Sequence, residues 1–295
     1  MILGKVMLSC RHQGAGVGAE GIAGGLTDEV DLFGVEAHGV SPSATLGVRS
    51  APDCGCFPMT GIVGSAGVAV EEMLEAEEAA PQALDAVGFG GPLLYVGSGD
   101  VYGRVEEGDL PVRETQPLRP RNPYAVSKVA AEALCYQWSQ TGGFRVVMAR
   151  PFNHIGPGQD VRFAVADFAR QIMEMRLGRR EPVLVTGDLD VTRDFSDVRD
   201  VVRAYHLLLE QGENGAIYNV CSGRERPLRS LVEGLLQSAG VQADLCTDRA
   251  RLRPVEQRRM VGDATTIRAA VGWTNEIPLE QTLTDILDYW EKELI

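Results

Sequence analysis

The chain of 295 residues can bury a full core and suits one large domain or two smaller ones. Its 44% hydrophobic and 23% charged residues are ordinary for a globular protein. A net charge of −13 argues against a nucleic-acid coat or an anionic membrane surface as partner.

Met1 to Cys10 is too short and too weakly apolar for a signal peptide, and no apolar run reaches spanning length. The expectation is a soluble, cytoplasmic protein without a nucleic-acid or membrane partner. Its six scattered cysteines form no close-spaced disulfide framework and are expected to be reduced. Cys54-Gly55-Cys56 lacks the second ligand pair that a metal site would need.

Residues 1–90 and 91–295 differ in composition. The first stretch holds 3 Lys/Arg against 12 Asp/Glu, 16 of the 34 glycines, three Phe and neither Tyr nor Trp. The second holds 25 Lys/Arg against 29 Asp/Glu. Aromatic and alternating β-branched residues favour sheets, so the first stretch offers only two strand candidates, Lys5 to Leu8 and a patch from Ile62 to Val70.

The signal sharpens at Leu93-Leu94-Tyr95-Val96, a short apolar run before Gly97-Ser98-Gly99 that reads as a buried strand ending at a loop. Asn122-Pro123 then opens a helix, since proline suits a first turn. Tyr124 and Lys128 fall four apart on one face of it, about 6 Å along the axis. An ammonium beside a phenol favours the phenolate, which prepares Tyr124 for proton transfer near neutral pH. A solvated helix face is the plainer account of such a pair. A second apolar run, Arg145 to Arg150, leads into Pro151-Phe152-Asn153. Strand, loop, helix and strand make a parallel crossover unit, which sets Ser98 at the carboxyl rim where open sheets bind ligands.

Further on, Val198, Val201, Val202, Tyr205, Leu208 and Leu209 form one helical stripe within 197–211. Strands are expected over Ala216–Cys221 and Val241–Cys246, and helices from Pro227 to Ala239 and from Leu279 to Leu294. Arg249, Arg251, Arg253, Arg258 and Arg259 crowd eleven residues around Pro254 and Glu256. The crowd is either a phosphate-facing surface or a solvated basic loop. His12, His38, His154 and His206 lack metal-like partners and are assigned to surface or packing.

From about Gly90 onward the chain resembles the extended short-chain dehydrogenase/reductases that act on nucleotide sugars. The likeness rests on Gly97-Ser98-Gly99-Asp100-Val101-Tyr102-Gly103, Asn122-Pro123-Tyr124-Ala125-Val126-Ser127-Lys128, Arg150-Pro151-Phe152-Asn153-His154-Ile155-Gly156-Pro157-Gly158 and Arg193-Asp194-Phe195. The resemblance implies an α/β fold, a doubly wound parallel sheet (Rossmann-like) with a smaller discontinuous substrate domain. Residues 1–154, with 189–216 returning, would form the cofactor domain, and 155–188 with 217–295 mainly the substrate domain. The first ~85 residues match this scheme poorly.

The resemblance further implies NADP or NAD, in reduced form, as hydride donor. Ser98 would hold the sugar O4, Tyr124 would exchange a proton with it, and Lys128 would bind the nicotinamide ribose. Gly99 and Asn153 would touch the sugar or its phosphate, although Asn153 also suits a plain loop cap. Arg193 would meet the diphosphate, where a planar guanidinium fits, Arg253 a phosphate or ribose, and Glu256 the ribose hydroxyls. Family dehydratases carry a glutamate after the Ser98 position. Asp100 is a methylene shorter than the glutamate that assists elimination, which favours reduction of a 4-keto sugar on a guanosine diphosphate. A dehydratase or epimerase, and a silent sugar-binding remnant without a working cofactor site, stay open as rivals. A homodimer through the Tyr124 helix is also implied.

In such proteins the first strand runs straight into a Gly-x-x-Gly-x-x-Gly turn cradling the pyrophosphate. Gly18, Gly21 and Gly24 fit that spacing, yet several polar and glycine residues separate them from the nearest strand, expected to end around Cys10. They make either this turn or a flexible loop. Either the half has diverged, or residues 1 to about 80 come from a shifted reading frame.

Overall fold

The computed structural model describes residues 6–8, 33–34, 81–82, 84–86, 88–252 and 257–295. Its contacts divide the chain into two compact units. The first comprises residues 1–97, 126–149 and 205–216, and the second residues 98–125, 150–204 and 217–295. The loop from Ser98 to Ala125 and the segment after Arg150 therefore group with the later segments. They do so because they hydrogen-bond to residues around Asn219 and Gly262.

In the first unit the sheet order is β2 (Phe33–Gly34), β1 (Val6–Leu8), β3 (Leu93–Val96), β4 (Val146–Pro151). Leu93, Leu94 and Tyr95 are buried, as is the whole of β4. Such continuous apolar runs belong to strands covered on both faces. β3 and β4 pair in parallel, Leu93 opposite Val146 through Val96 opposite Ala149, as the crossover reading expects. The connecting helix α1 (Pro123–Thr141) begins at Pro123. Asn122 Oδ1 caps it by accepting the Ala125 N–H at 2.7 Å, which satisfies one of the orphan donors of the first turn. Two further helices are α2 (Ala164–Arg176) and α3 (Val198–Gln211). Arg145, at the foot of β4, donates to the carbonyls of Gly212 and Glu210 at 2.5 and 3.2 Å and to that of Leu209. These carbonyls lie at the carboxyl end of α3, and a cation there completes the helix end.

β1 departs from expectation. It pairs antiparallel to β3, with Leu8 opposite Leu93 and Val6 opposite Tyr95, whereas the family scheme has a parallel first strand. The chain thus leaves β1 beside the amino end of β3, away from the end that leads to Ser98. Three residues with no alternating pattern specify pairing weakly. Gly18, Gly21 and Gly24, and the strand expected over Ile62 to Val70, lie outside the described residues.

The second unit holds β5 (Asn153–Ile155), β7 (Thr192–Asp197) and β9 (Glu225–Pro227) in the order β5-β7-β9, and β6 (Val183–Thr186) paired in parallel with β10 (Asp244–Thr247). β8 (Ile217–Val220) lies at the expected place, and its Val220 carbonyl accepts the Phe152 N–H at 2.9 Å. Helices α2, α4 (Leu228–Ala239) and α6 (Leu279–Leu294) enclose a core of Phe168, Ile172, Leu184, Leu231, Leu235 and Ile286. A short helix, α5 (Thr265–Val271), leads to Trp273, which is fully buried and donates its indole N–H to the Asp200 carbonyl at 2.8 Å. Among the described residues no helix is long and apolar enough to cross a membrane.

Candidate active site

Ser98 is half-buried and follows β3 after one glycine. It caps the single 3-10 turn Gly99–Tyr102, its Oγ accepting the Asp100 N–H at 3.1 Å. A hydroxyl has one hydrogen and two lone pairs, so the cap occupies a lone pair and leaves the hydrogen to donate. The turn is closed by Gly103, whose φ of 55° suits glycine alone. A Cβ there would lie 1.7 Å from the Arg119 carbonyl oxygen. Gly99 packs on the Phe152 ring, which a Cβ would meet at 3.2 Å.

The far end of that turn is tied down by a buried network. Tyr102 donates its phenol proton to Asn219 Oδ1 at 2.6 Å and accepts from Arg150 Nη1 at 2.8 Å. Arg150 also donates to the Glu114 carbonyl at 3.1 Å. Asn219 donates its backbone N–H to Glu114 Oε1 at 2.9 Å and its side-chain amide to the Val112 carbonyl at 3.0 Å. Thr266 reaches Glu114 Oε2 at 3.0 Å. Burial pushes the Tyr102 phenol up to about 12, against the opposing pull of Arg150, so it stays a neutral donor.

Tyr124 sits half-buried in the first turn of α1, in the same unit as Ser98. Lys128, one turn on, belongs to the first unit and is 1% exposed. Its Nζ donates to the Val96 carbonyl at 3.2 Å and lies 5.2 Å from the centroid of the Tyr95 ring. This sets the ammonium at the carboxyl end of β3. An ammonium is a donor only, with three hydrogens, and suits the hydroxyls of a ribose. The solvated-face account of Lys128 fails, since the side chain is buried.

Asn153 opens β5 and is exposed, while Arg193, in β7, is half-buried and donates to the Thr192 carbonyl at 2.7 Å. Next to Arg193, Asp194 is fully buried and accepts the backbone N–H groups of Ser222, Gly223 and Gly262 at 2.7, 2.9 and 3.2 Å. Burial raises its carboxyl above the ordinary value, and those donors pull it back. Its role is to pin β7 to two loops.

Arg253 and Glu256 lie outside the described residues. Their neighbours are engaged with carboxylates: Arg251 with Asp167 at 2.6 Å, Arg258 with Asp188, and Arg259 with Glu225 at 2.7 and 2.8 Å. Three of the four described arginines of the crowd, Arg251, Arg258 and Arg259, are thus charge-compensated within the protein. Sequence reasoning missed a cleft of about 220 Å³ beside this segment, lined by Thr186, Gly187, Asp188, Leu189, Leu245 and Leu252. Thr186 is fully buried and its Oγ1 has no hydrogen-bond partner. Burying a hydroxyl unpaired is costly, a cost that falls on one wall of the cleft. Only tertiary structure brings β6 and β10 together to form it.

The family model described as GDP-mannose 4,6 dehydratase matches residues 65–286. The chain belongs to this family. It is 52% identical over 213 residues to a GDP-6-deoxy-D-mannose reductase of Pseudomonas aeruginosa, covering 72% of this chain and 70% of that one. A dTDP-glucose 4,6-dehydratase of Streptomyces niveus is 29% identical over 200 residues, 68% of this chain and 57% of the relative. Among solved structures, RMD from Pseudomonas aeruginosa complexed with NADPH matches with a TM-score of 0.72 and 47% identity, covering 79% of this chain and 81% of that one. A structure described as a putative epimerase from Burkholderia cenocepacia matches at 0.63 and 28%, covering 86% and 88%. The fold is accordingly Rossmann-like α/β, as family members adopt.

Proposed function

We propose that this protein reduces the 4-keto group of a nucleotide-linked 4-keto-6-deoxy sugar, in the manner of GDP-4-dehydro-6-deoxy-D-mannose going to GDP-D-rhamnose. The observation that carries the reading is the gap in likeness: 52% identity to a GDP-6-deoxy-D-mannose reductase against 29% to a dehydratase. When bound, a reduced nicotinamide dinucleotide supplies the hydride, NADPH being the one held by the RMD relative. Tyr124 and Lys128 are the described residues that would hold its ribose end.

The chain's own part is proton transfer and positioning. Ser98 donates its hydroxyl hydrogen to the C4 oxygen, Tyr124 gives that oxygen its proton, and Lys128 favours loss of the phenolic proton. Placement and stabilisation of a developing oxyanion supply most of the acceleration, so few groups suffice. Asn153 and Arg193 would hold the sugar–diphosphate end, with Arg253 and Glu256 beyond them. The cleft at Thr186 would receive the nucleoside. Two exposed residues of α1, Val126 and Tyr136, support pairing of that helix with a second copy.

A second reading follows from the direction of β1: a protein that binds nucleotide sugars but no dinucleotide. Two assays separate the readings. NADPH titration followed by its fluorescence, then NADPH consumption with GDP-4-dehydro-6-deoxy-D-mannose, should give saturable binding and one NADPH oxidised per deoxysugar formed. Loss of water from GDP-mannose without net NADPH use would replace the proposal with a dehydratase. Sugar-nucleotide affinity with no NADPH binding would leave the second reading.

A further inference from the structure

The loop that carries Ser98 is a four-residue turn fixed at both ends. Ser98 caps its start, and Tyr102 is its last residue. A 3-10 helix rises about 2 Å per residue, so the Tyr102 anchor stands within one short turn of the Ser98 hydroxyl. The anchor is itself hydrogen-bonded on both sides of its oxygen. The phenol uses its hydrogen on Asn219 and a lone pair on Arg150, and both partners are tied to Glu114, as described above. The Arg119 N–H adds a bond to the Val101 carbonyl at 3.1 Å. All of these groups belong to the second unit.

We infer that Tyr102 is a positioning residue for Ser98: clamped between Arg150 and Asn219, its phenol sets the turn whose Asp100 N–H holds the Ser98 oxygen, and so aims the Ser98 hydrogen at the sugar's C4 oxygen. Arg150 and Phe152 extend the same device toward Asn153, because Phe152 packs against both Gly99 and Gly262. Without the phenol hydroxyl, Asn219 Oδ1 and one arginine N–H lose a buried partner, and such groups seek new ones by moving. The turn would then relax and Ser98 would lose its aim while the diphosphate contacts stayed in place.

This inference rests on the nucleotide-sugar reading, and its test separates the two. Calorimetry would give dissociation constants for GDP-D-rhamnose and for GDP with the full chain and with Ser98→Ala, Tyr102→Phe and the double variant. Ser98→Ala should weaken GDP-D-rhamnose about tenfold relative to GDP, the worth of one hydrogen bond. Tyr102→Phe should cost about the same, the double variant no more than Ser98→Ala alone, and GDP affinity should change less than about twofold throughout. Additive losses, or an unimpaired Tyr102→Phe, would overturn the inference, since residues acting through one another are non-additive. If Ser98→Ala leaves the sugar increment untouched, the functional reading falls and the inference with it. Should Tyr102→Phe fail to fold, Glu114→Gln gives the second route. It should produce a smaller loss of the same increment that vanishes in a Ser98→Ala background, and persistence there would equally overturn the role of Tyr102.

Discussion

Residues 1–90 and 91–295 carry nearly equal shares of the glycines, 16 and 18, but in different ways. In the later stretch several glycines stand at points the backbone demands, such as Gly103 and Gly262. In the earlier one they are scattered through a segment of net charge −9, from 3 basic and 12 acidic residues. The family match begins only at residue 65. The contrast teaches that the two halves of the reaction are encoded differently. Substrate chemistry rests on motifs a few residues long that survive intact, whereas a dinucleotide site needs a strand, a turn and a helix in strict succession.

The largest effect is expected from Tyr124→Phe, which should lower turnover about 10²- to 10⁴-fold with circular dichroism and melting unchanged. Near-normal turnover would remove Tyr124 as proton donor. Next, Trp273→Ala should cost about 3 to 5 kcal/mol in urea unfolding, since the indole is fully buried and its N–H bonds Asp200. A loss under about 1 kcal/mol would mean that the later stretch owes its order to something other than this core.

Arg193→Ala should raise the KM for the sugar nucleotide about ten- to a hundredfold, the scale of a charge-assisted hydrogen bond, and leave NADPH affinity alone. Equal loss of both would erase the division of labour between the two regions. The smallest effect concerns acid. The Arg259 bond to Glu225 and the Thr265 bond to Asp263 hold these carboxyls below their ordinary values. A depressed folded-state value means stability that is present above about pH 4.5 and fades as pH falls through the folded value. Asp194 works the other way, because burial raises it, and it softens the decline. Melting temperature should therefore drop modestly between about pH 5 and 3, and Glu225→Gln should flatten part of that slope.

Legibility in the sequence tracked the range of the interactions. β3, α1, β4, α3 and α6 announce themselves through apolar runs, a proline start or a periodic stripe, all local signals. α2 also carried its stripe, in Val165, Phe168, Ile172 and Met175, but no cap hydrogen bond marked its start. β7 gave no strand signal at all. Its Thr-Arg-Asp-Phe-Ser-Asp is polar because Asp194 and Asp197 serve neighbouring loops and helices. Likewise, the Ser98, Tyr124 and Lys128 spacing was legible. The Tyr102 bond to Asn219, 117 residues away, was not. Nor could an arginine-rich stretch disclose that Arg258 and Arg259 face Asp188 and Glu225.

Gly103, pressed against the Arg119 carbonyl, carries one more consequence. Because the peptide around Ser98 is held from both sides by the protein's own contacts, docking a sugar there forfeits little configurational freedom. Selectivity at this rim should come from a rigid mould that turns away ill-shaped epimers, with scant room to adapt itself to them.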